Sequence, residues 1–270
     1  MRLAVVGHVE WIEFLNVERI PRQGEIVHAR SGWGEAAGGG AVAAVQLANL
    51  AGEAMFFTTF GSDERGRQAR ERLEAQRVRV LAREIEVPQR YGFTFIDDDG
   101  ERTITVVGER LTLRGSDDSL PWDELDGADG VYFVSGDAET LRQARRARVL
   151  VAATRSLATL QEAGVELDAI IGSATDAGEF YRAGDLDPAP RLVIRTSGAR
   201  GGSLEPGGSY QAAPPPGPIA DSYGCGDCFA AGLTYGLAAG MPLDEVVELA
   251  AICGATVLTG HGPYERQHKL

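Results

Sequence analysis

The chain has 270 residues, of which 44% are hydrophobic and 24% charged, the balance of a soluble globular protein. Its formal net charge of −13 speaks against a nucleic-acid-binding surface and against electrostatic adhesion to anionic membranes. It does not exclude a phosphorylated ligand, because backbone amides at a helix N-terminus hold phosphate without a basic surface.

Three cysteines, Cys225, Cys228 and Cys253, are too few and odd in number for a disulfide framework, so a reducing compartment is expected. Cys225 and Cys228 form a C-x-x-C, but neither a redox setting nor further zinc ligands accompany it. The apolar start, Met1 to Gly7, is too short for a signal segment. No apolar run approaches the ~20 residues of a membrane helix. The expected location is the cytoplasm.

In chain order, Leu3–Val6 reads as a short apolar strand and Val9–Arg30 as a stretch of irregular strands. Ala41–Leu50 is apolar on nearly every side, which predicts a buried helix. Ala54–Phe60 reads as a strand and Gly66–Gln76 as an exposed, charged helix. Tyr91, Phe93 and Phe95 alternate with smaller residues, Asp97-Asp98-Asp99-Gly100 is a turn, and Arg102, Ile104 and Val106 alternate again. That is a β-hairpin by period and turn chemistry, serving either as a lid or interface or as a decorated sheet edge.

Strands then alternate with helices: Val131–Val134, Thr140–Arg146, Val149–Ala152, Ser156–Ala163, Ala169–Gly172, Asp176–Arg182 and Leu192–Thr196. Continuous apolar strands separated by helices predict a parallel sheet covered on both faces. The Pro- and Gly-rich run Glu205–Pro218 reads as a surface loop. Two helices close the chain, from about Asp227 and from about Leu243, the second with Val246, Val247, Ala250 and Cys253 on one face.

The sharpest chemical signal is Asp221-Ser-Tyr-Gly224-Cys225-Gly226-Asp227, continuing to Gly232. Gly224 and Gly226 permit a tight turn, and an apolar helix follows at once. Such a turn points free N–H groups, and the positive end of the helix dipole, at an anion. Asp227 has two readings. It could simply cap the helix. Alternatively it accepts a proton from a substrate hydroxyl while the amides hold a phosphoryl group, since phosphoryl transfer asks mainly for positioning and charge stabilisation.

This segment resembles the D-T-x-G-A-G-D-x-F-x-x-G motif of the ribokinase/PfkB carbohydrate kinases, with Ser222 for Thr and Cys225 for Ala. The resemblance implies that Asp227 is the catalytic base and that Gly224, Cys225 and Gly226 form the anion hole. It extends along the chain. Pro21-Arg-Gln-Gly-Glu25 resembles P-x-x-G-E. Ala37-Gly38-Gly39-Gly40 resembles the first signature, whose glycines lie against the substrate. Phe60-Gly-Ser-Asp63 with Gly66 resembles V-G-x-D-x-x-G, and Asp99-Gly-Glu-Arg102 resembles the lid turn. Thr196-Ser-Gly198-Ala-Arg-Gly201 is similar to the T-x-G-x-x-G beside the nucleotide.

What the resemblance implies is a single ribokinase-like domain over residues 1–270, an α/β three-layer sandwich with a mainly parallel central sheet. A small β-hairpin lid would be formed by segments near 9–30 and 88–107. ATP and Mg²⁺ are the implied cofactors, with Thr196, Gly198, Gly201 and Ser173 toward ATP and Asp176 toward the metal. Gly38, Gly39 and Glu10 are assigned to the acceptor, and a homodimer through the lid is a possible assembly.

Departures from the pattern fall at the acceptor and metal ends. Val42 stands where an Asn is usual. Ile12 stands where many members have a sugar-binding Asp, with Glu10 and Glu13 nearby. The N-x-x-E that orders Mg²⁺ and phosphates is Ser173-Ala-Thr-Asp176, and the D-P-N-x-R is reduced to Ala152-Ala-Thr-Arg155. An acceptor pocket short of polar groups is therefore expected, with poor discrimination between polyols. Trp11, Phe14 and Trp33 would stack on a ligand or pack within the lid. Three readings remain open: a sugar kinase, a nucleoside kinase of the same fold, and a non-catalytic ligand-binding member. A dehydrogenase is disfavoured, because no G-x-G-x-x-G follows the first strand.

Overall fold

A computed structural model describes residues 1–270. The first half runs β1 (Leu3–Val6), β2 (Glu10–Asn16), β3 (Ser31–Ala37), α1 (Gly39–Ala51), β4 (Ala54–Gly61), α2 (Glu64–Ala75), β5 (Val78–Ile85), β6 (Tyr91–Ile96) and β7 (Arg102–Val107). The second half runs β8 (Gly130–Phe133), α3 (Ala138–Ala144), β9 (Val149–Ala153), α4 (Leu157–Ala163), β10 (Ala169–Ser173), β11 (Val193–Thr196), β12 (Gly202–Glu205), β13 (Gly208–Tyr210), α5 (Cys225–Ala239) and α6 (Leu243–Val257).

Nine strands form the central sheet in the order β13-β12-β11-β10-β9-β8-β1-β4-β5. From β11 to β5 all neighbours are parallel, and β12 and β13 add an antiparallel edge. Alternation along each strand feeds two cores. Leu3 and Val5 of β1 join Phe56, Tyr132 and Val151 on the face covered by α1, α5 and α6. Ala4 and Val6 join Phe57, Phe133 and Leu150 on the face covered by α3 and α4. The continuous apolar strands are thus explained by burial on both sides. No helix is long and apolar enough to cross a membrane.

Helices α5 and α6 pack closely through small residues. A Cβ on Gly232 would lie 2.9 Å from the Ala250 Cα and 3.0 Å from the Cys253 sulfur. Gly232→Val should therefore destabilise the protein by about 1–3 kcal/mol through overpacking, read as a lowered denaturation midpoint at unchanged slope.

A second, four-stranded sheet has the order β3-β2-β6-β7, with β2–β6 parallel and the outer pairs antiparallel. The expected hairpin is β6–β7. Strand β3 was not anticipated, because Ser31-Gly-Trp-Gly-Glu-Ala-Ala has a weak alternating pattern. One face of this sheet packs on the turn before α5. Phe14 stacks on Trp33 at 5.1 Å between ring centroids and meets Tyr223 edge-on at 5.1 Å. Trp11 is buried and donates its indole N–H to Glu13 at 2.8 Å. All three aromatics are packing residues of the small sheet.

Two local expectations are corrected. The helix expected over Asp176–Arg182 is a single 3-10 turn, Ala177–Glu179. The Asp176 side chain accepts from the Gly178 N–H at 2.8 Å, and Glu179 folds back to accept from the Ser173 N–H at 2.7 Å. Both side chains thereby stabilise a turn in place of a helix. The loop expected from Glu205 to Pro218 begins as a hairpin, β12–β13, and is irregular only beyond Tyr210.

Candidate active site

The site forms where the small sheet faces the carboxyl ends of the central strands, the usual ligand position in an open α/β sheet. Its centre is the turn into α5. Asp221, 1% exposed, accepts from the Tyr223 N–H at 2.7 Å and from the Gly262 N–H at 2.8 Å, which pins the turn on both sides. Gly224 caps the helix at φ 81°, a left-handed conformation that only glycine adopts freely. A Cβ there would also lie 2.9 Å from Val42 Cγ1. The N–H groups of Cys225, Gly226 and Asp227 thus open the helix with no intrahelical acceptor.

Asp227 lies inside the first turn, and the N-cap position is held by Gly224. This removes the capping explanation for the residue. The carboxylate faces α1 instead: a Cβ on Gly39 would lie 2.7 Å from Asp227 Oδ1. Burial pushes the Asp227 pKa up to about 6; Arg102 and Arg155 oppose the rise, while Glu179 and Glu10 reinforce it.

The residues assigned from sequence to the acceptor gather around the same glycines. Gly38 has φ 86°, and its N–H donates to the Tyr223 hydroxyl at 3.2 Å. A Cβ on Gly38 would meet His8 Nε2 at 3.3 Å and Glu10 Cγ at 3.4 Å. The structure therefore brings Glu10, Gly38, Gly39 and Asp227 together, as the sequence indicates.

It also adds residues that the motifs did not single out. His8 is buried, with Nδ1 3.1 Å from Ser135 Oγ and Nε2 3.8 Å from Glu10. Burial, then Arg110, Arg90 and Arg155, pull its pKa down to about 3, so the ring is neutral. Arg90 places Nε 3.0 Å from Glu10 Oε1. Burial raises the Glu10 pKa, against Arg90 and Arg110. Polar groups thus stand beside Gly38, where the sequence suggested a pocket short of them. Ile12 is wholly buried and takes no part.

The lid turn reaches the catalytic turn directly. Arg102 Nη1 donates to both the carbonyl and the hydroxyl of Ser222, each at 2.7 Å. A Cβ on Gly100 would lie 3.4 Å from the Ala220 carbonyl oxygen.

On the other side, Ser173 and Thr196 end neighbouring strands and stand in register. Gly198 and Gly201 follow in a tight turn closed by Ser197 N–H to the Gly201 carbonyl at 2.7 Å. These four residues share one end of the sheet. Arg155 pairs with Asp176 at 2.7 Å and also with Glu179. Glu179, which the motifs did not single out, is a charge that raises the Asp227 pKa, after burial itself and against Arg102. A helix expectation over 176–182 hid this; a carboxylate three residues beyond Asp176 was the only available signal.

No three His, Cys, Asp or Glu side chains group as a metal cage. All four carboxylate oxygens of Asp176 and Glu179 are bonded, to Arg155, the Gly178 N–H and the Ser173 N–H, so either residue would hold Mg²⁺ only once such a bond opened.

Residues 1–270 match the pfkB family carbohydrate kinase pattern. The chain is 27% identical over 278 residues to an ATP-dependent ribose-1-phosphate kinase of Halopiger xanaduensis, covering 94% of this chain and 91% of that one. It is 42% identical over 74 residues to an acarbose 7(IV)-phosphotransferase of Actinoplanes, a match spanning 26% of this chain and 25% of that protein. Among solved structures, a microbiome-derived acarbose kinase superposes with TM-score 0.82 at 17% identity, covering 99% of this chain and 96% of that one. Ribokinase from Thermotoga maritima gives TM-score 0.77 at 20% identity, covering 97% and 94%. These structures share the fold.

Proposed function

The chain belongs to the pfkB family of carbohydrate kinases, and from that premise we propose that it moves the γ-phosphoryl group of ATP to a hydroxymethyl group of a sugar or sugar derivative, with Asp227 as base. One observation carries this reading. The buried Asp227 carboxylate is not at the cap position, which Gly224 holds, and stands beside Gly39 at the amide-lined turn of α5.

The acceptor hydroxyl lies against the Asp227 carboxylate, beside Gly39. Asp227 takes its proton as the oxygen bonds to the γ-phosphorus. The bond from that phosphorus to the β,γ-bridging oxygen breaks, ADP departs, and Asp227 later releases the proton to solvent. The N–H groups of Gly224, Cys225 and Gly226 face the charge that develops on the phosphoryl oxygens. Ser173, Thr196, Gly198 and Gly201 line the nucleotide side. Mg²⁺, held through Asp176 and Glu179, would neutralise phosphate charge. The small sheet acts as the lid, and Arg102 ties it to the catalytic turn so that water is kept from the phosphoryl group.

A carbohydrate acceptor is favoured over a nucleoside. Trp33 and Phe14 stack on each other, which removes the aromatic surface a nucleobase would need. Relatives named as ribose-1-phosphate and acarbose kinases support the same choice.

Coupled ADP release against pentoses, hexoses, keto-deoxy acids, sugar phosphates and nucleosides tests the proposal. Acceptor-dependent release should occur with a carbohydrate. Release with nucleosides alone would overturn the acceptor class, and ATP binding with no release on any acceptor would favour a non-catalytic role. The pH profile is a second check. Asp227 works as a base only when ionised, so kcat/KM should rise with pH through about 6 and fall on the acid side. A profile flat between pH 5 and 7 would remove Asp227 from the role, since that range brackets its pKa of about 6.

A further inference from the structure

One nitrogen atom joins Asp176 to Glu179. Arg155 Nη2 donates to Asp176 Oδ2 at 2.7 Å and also to Glu179 Oε1. The second oxygen of each carboxylate is taken by the backbone, Asp176 Oδ1 by the Gly178 N–H at 2.8 Å and Glu179 Oε2 by the Ser173 N–H at 2.7 Å. Other arginines that meet two carboxylates spread them over different nitrogens, as Arg67 does with Glu64 and Glu71 and Arg191 with Glu166 and Asp168. Here one nitrogen stands between two anionic oxygens, from the two ends of the turn Ala177–Glu179.

The turn that carries Arg155, Thr154–Ser156, is held on both sides. A Cβ on Gly172 would lie 2.0 Å from Thr154 Oγ1, so the turn presses on the end of β10, and Ser156 Oγ donates to the Val134 carbonyl at 2.6 Å. Val134 in turn flanks Gly39, whose Cβ would lie 3.3 Å from Val134 Cγ1 and 2.7 Å from Asp227 Oδ1. The Arg155 backbone is therefore fixed at the edge of the site. Its side chain is 51% exposed and makes no hydrogen bond through Nε or Nη1, so only the side chain is free to swing.

Two carboxylates against one guanidinium leave a net negative charge at this point. The Gly178 N–H, then Arg155, hold the Asp176 carboxyl below its ordinary pKa, so it is ionised at neutral pH. Ion pairs as exposed as these are each worth only about 1.5- to 5-fold in an equilibrium, weak enough for another cation to displace the guanidinium. A divalent ion binds carboxylate oxygens directly. One shared by Asp176 Oδ2 and Glu179 Oε1 would have to take the place of Arg155 Nη2.

We propose that Arg155 is a positioning residue that holds the cation position closed: its guanidinium pairs Asp176 with Glu179, and a divalent ion reaches these carboxylates only by displacing it. This rests on the kinase reading for the nucleotide that would bring the ion. The competition itself belongs to the three side chains.

The test counts bound Mn²⁺, an oxygen-seeking probe for the same position, from the electron paramagnetic resonance of the free ion, with the full chain and no nucleotide. Arg155→Ala should bind Mn²⁺ about 3- to 30-fold more tightly than wild type, because two weak pairs and a positive charge are removed. Arg155→Gln should behave alike, and Arg155→Lys should keep most of the wild-type weakness. Adding Asp176→Asn and Glu179→Gln to Arg155→Ala should abolish the gain. Mn²⁺ should also raise the Tm of Arg155→Ala more than that of wild type.

Equal Mn²⁺ affinity in wild type and in folded Arg155→Ala or Arg155→Gln would overturn the inference. So would a gain that survives the loss of both carboxylates. A lower Tm in Arg155→Ala with no gain in Mn²⁺ binding would reduce Arg155 to a staple of the turn and overturn it as well. The kinase reading fails separately. If the Mn²⁺ gain is found but wild-type protein releases no ADP with any acceptor, the role of Arg155 stands and the kinase reading falls. If ADP is released and the Mn²⁺ gain is missing, the reverse holds.

Discussion

Asp227→Asn should lower kcat by about 10²–10⁴ while ATP binds as before, because a positioned base contributes that much and no nucleotide contact is removed. Turnover within a few-fold of wild type would exclude Asp227 as the base. The same substitution should stabilise the fold at neutral pH. The Asp227 pKa is raised from 3.8 to about 6 in the folded protein. The fold therefore favours the protonated form. That preference contributes fully below the ordinary carboxylate pKa and is lost as pH rises through about 6. Above that pH the ionised group costs at most about 3 kcal/mol, which Asn avoids. Asp227→Asn should thus raise Tm at pH 7 and lose the advantage near pH 4, the usual opposition of stability and activity at a site, since the shift lies between 3.8 and about 6. An equal or lower Tm at pH 7 would mean that the carboxylate is better solvated than its surroundings indicate.

What could be read from the chain divides along physical lines. Strands β1, β8, β9 and β10 are largely apolar runs, and both their type and parallel pairing follow from burial on two faces. The turn proposed as catalytic was legible because Gly224, Gly226 and Asp227 stand together in sequence, as residues meeting one phosphoryl group would. The polar cluster beside Gly38 was not. His8 and Glu10 come from one segment and Arg90 from another, and only the pairing of β2 with β6 sets Glu10 beside Arg90. No local pattern announces such a meeting. Strands β3 and β5 were missed for a related reason. Strand β3 is rich in small residues and β5 alternates charges with half-buried side chains, so neither shows the apolar signature of a core strand.

Gly39→Ala should abolish most turnover without unfolding the chain. Gly39 begins α1 and is half-buried at the cleft, so an alanine fits the helix backbone itself. Its Cβ would instead enter the space in front of Asp227, 2.7 Å from Oδ1 and 3.3 Å from Val134 Cγ1. The Asp227 carboxylate is the group that must yield, and moving it takes the proposed base away from the acceptor hydroxyl. A displacement near 1 Å at a reacting group costs on the order of 10²-fold in rate. The expected result is kcat/KM lower by about 10² or more, with Tm changed by only a few degrees, because no core contact is lost. The neighbouring Gly40→Ala separates the two effects. There the Cβ would meet the His8 carbonyl oxygen at 2.6 Å and Phe56 at 3.0 Å, so backbone and core must shift and stability should fall as well. If Gly39→Ala and Gly40→Ala lose stability equally, Gly39 is a packing residue. If only Gly40→Ala loses it while Gly39→Ala is folded and inactive, the gap at Gly39 is the place where the acceptor meets its base.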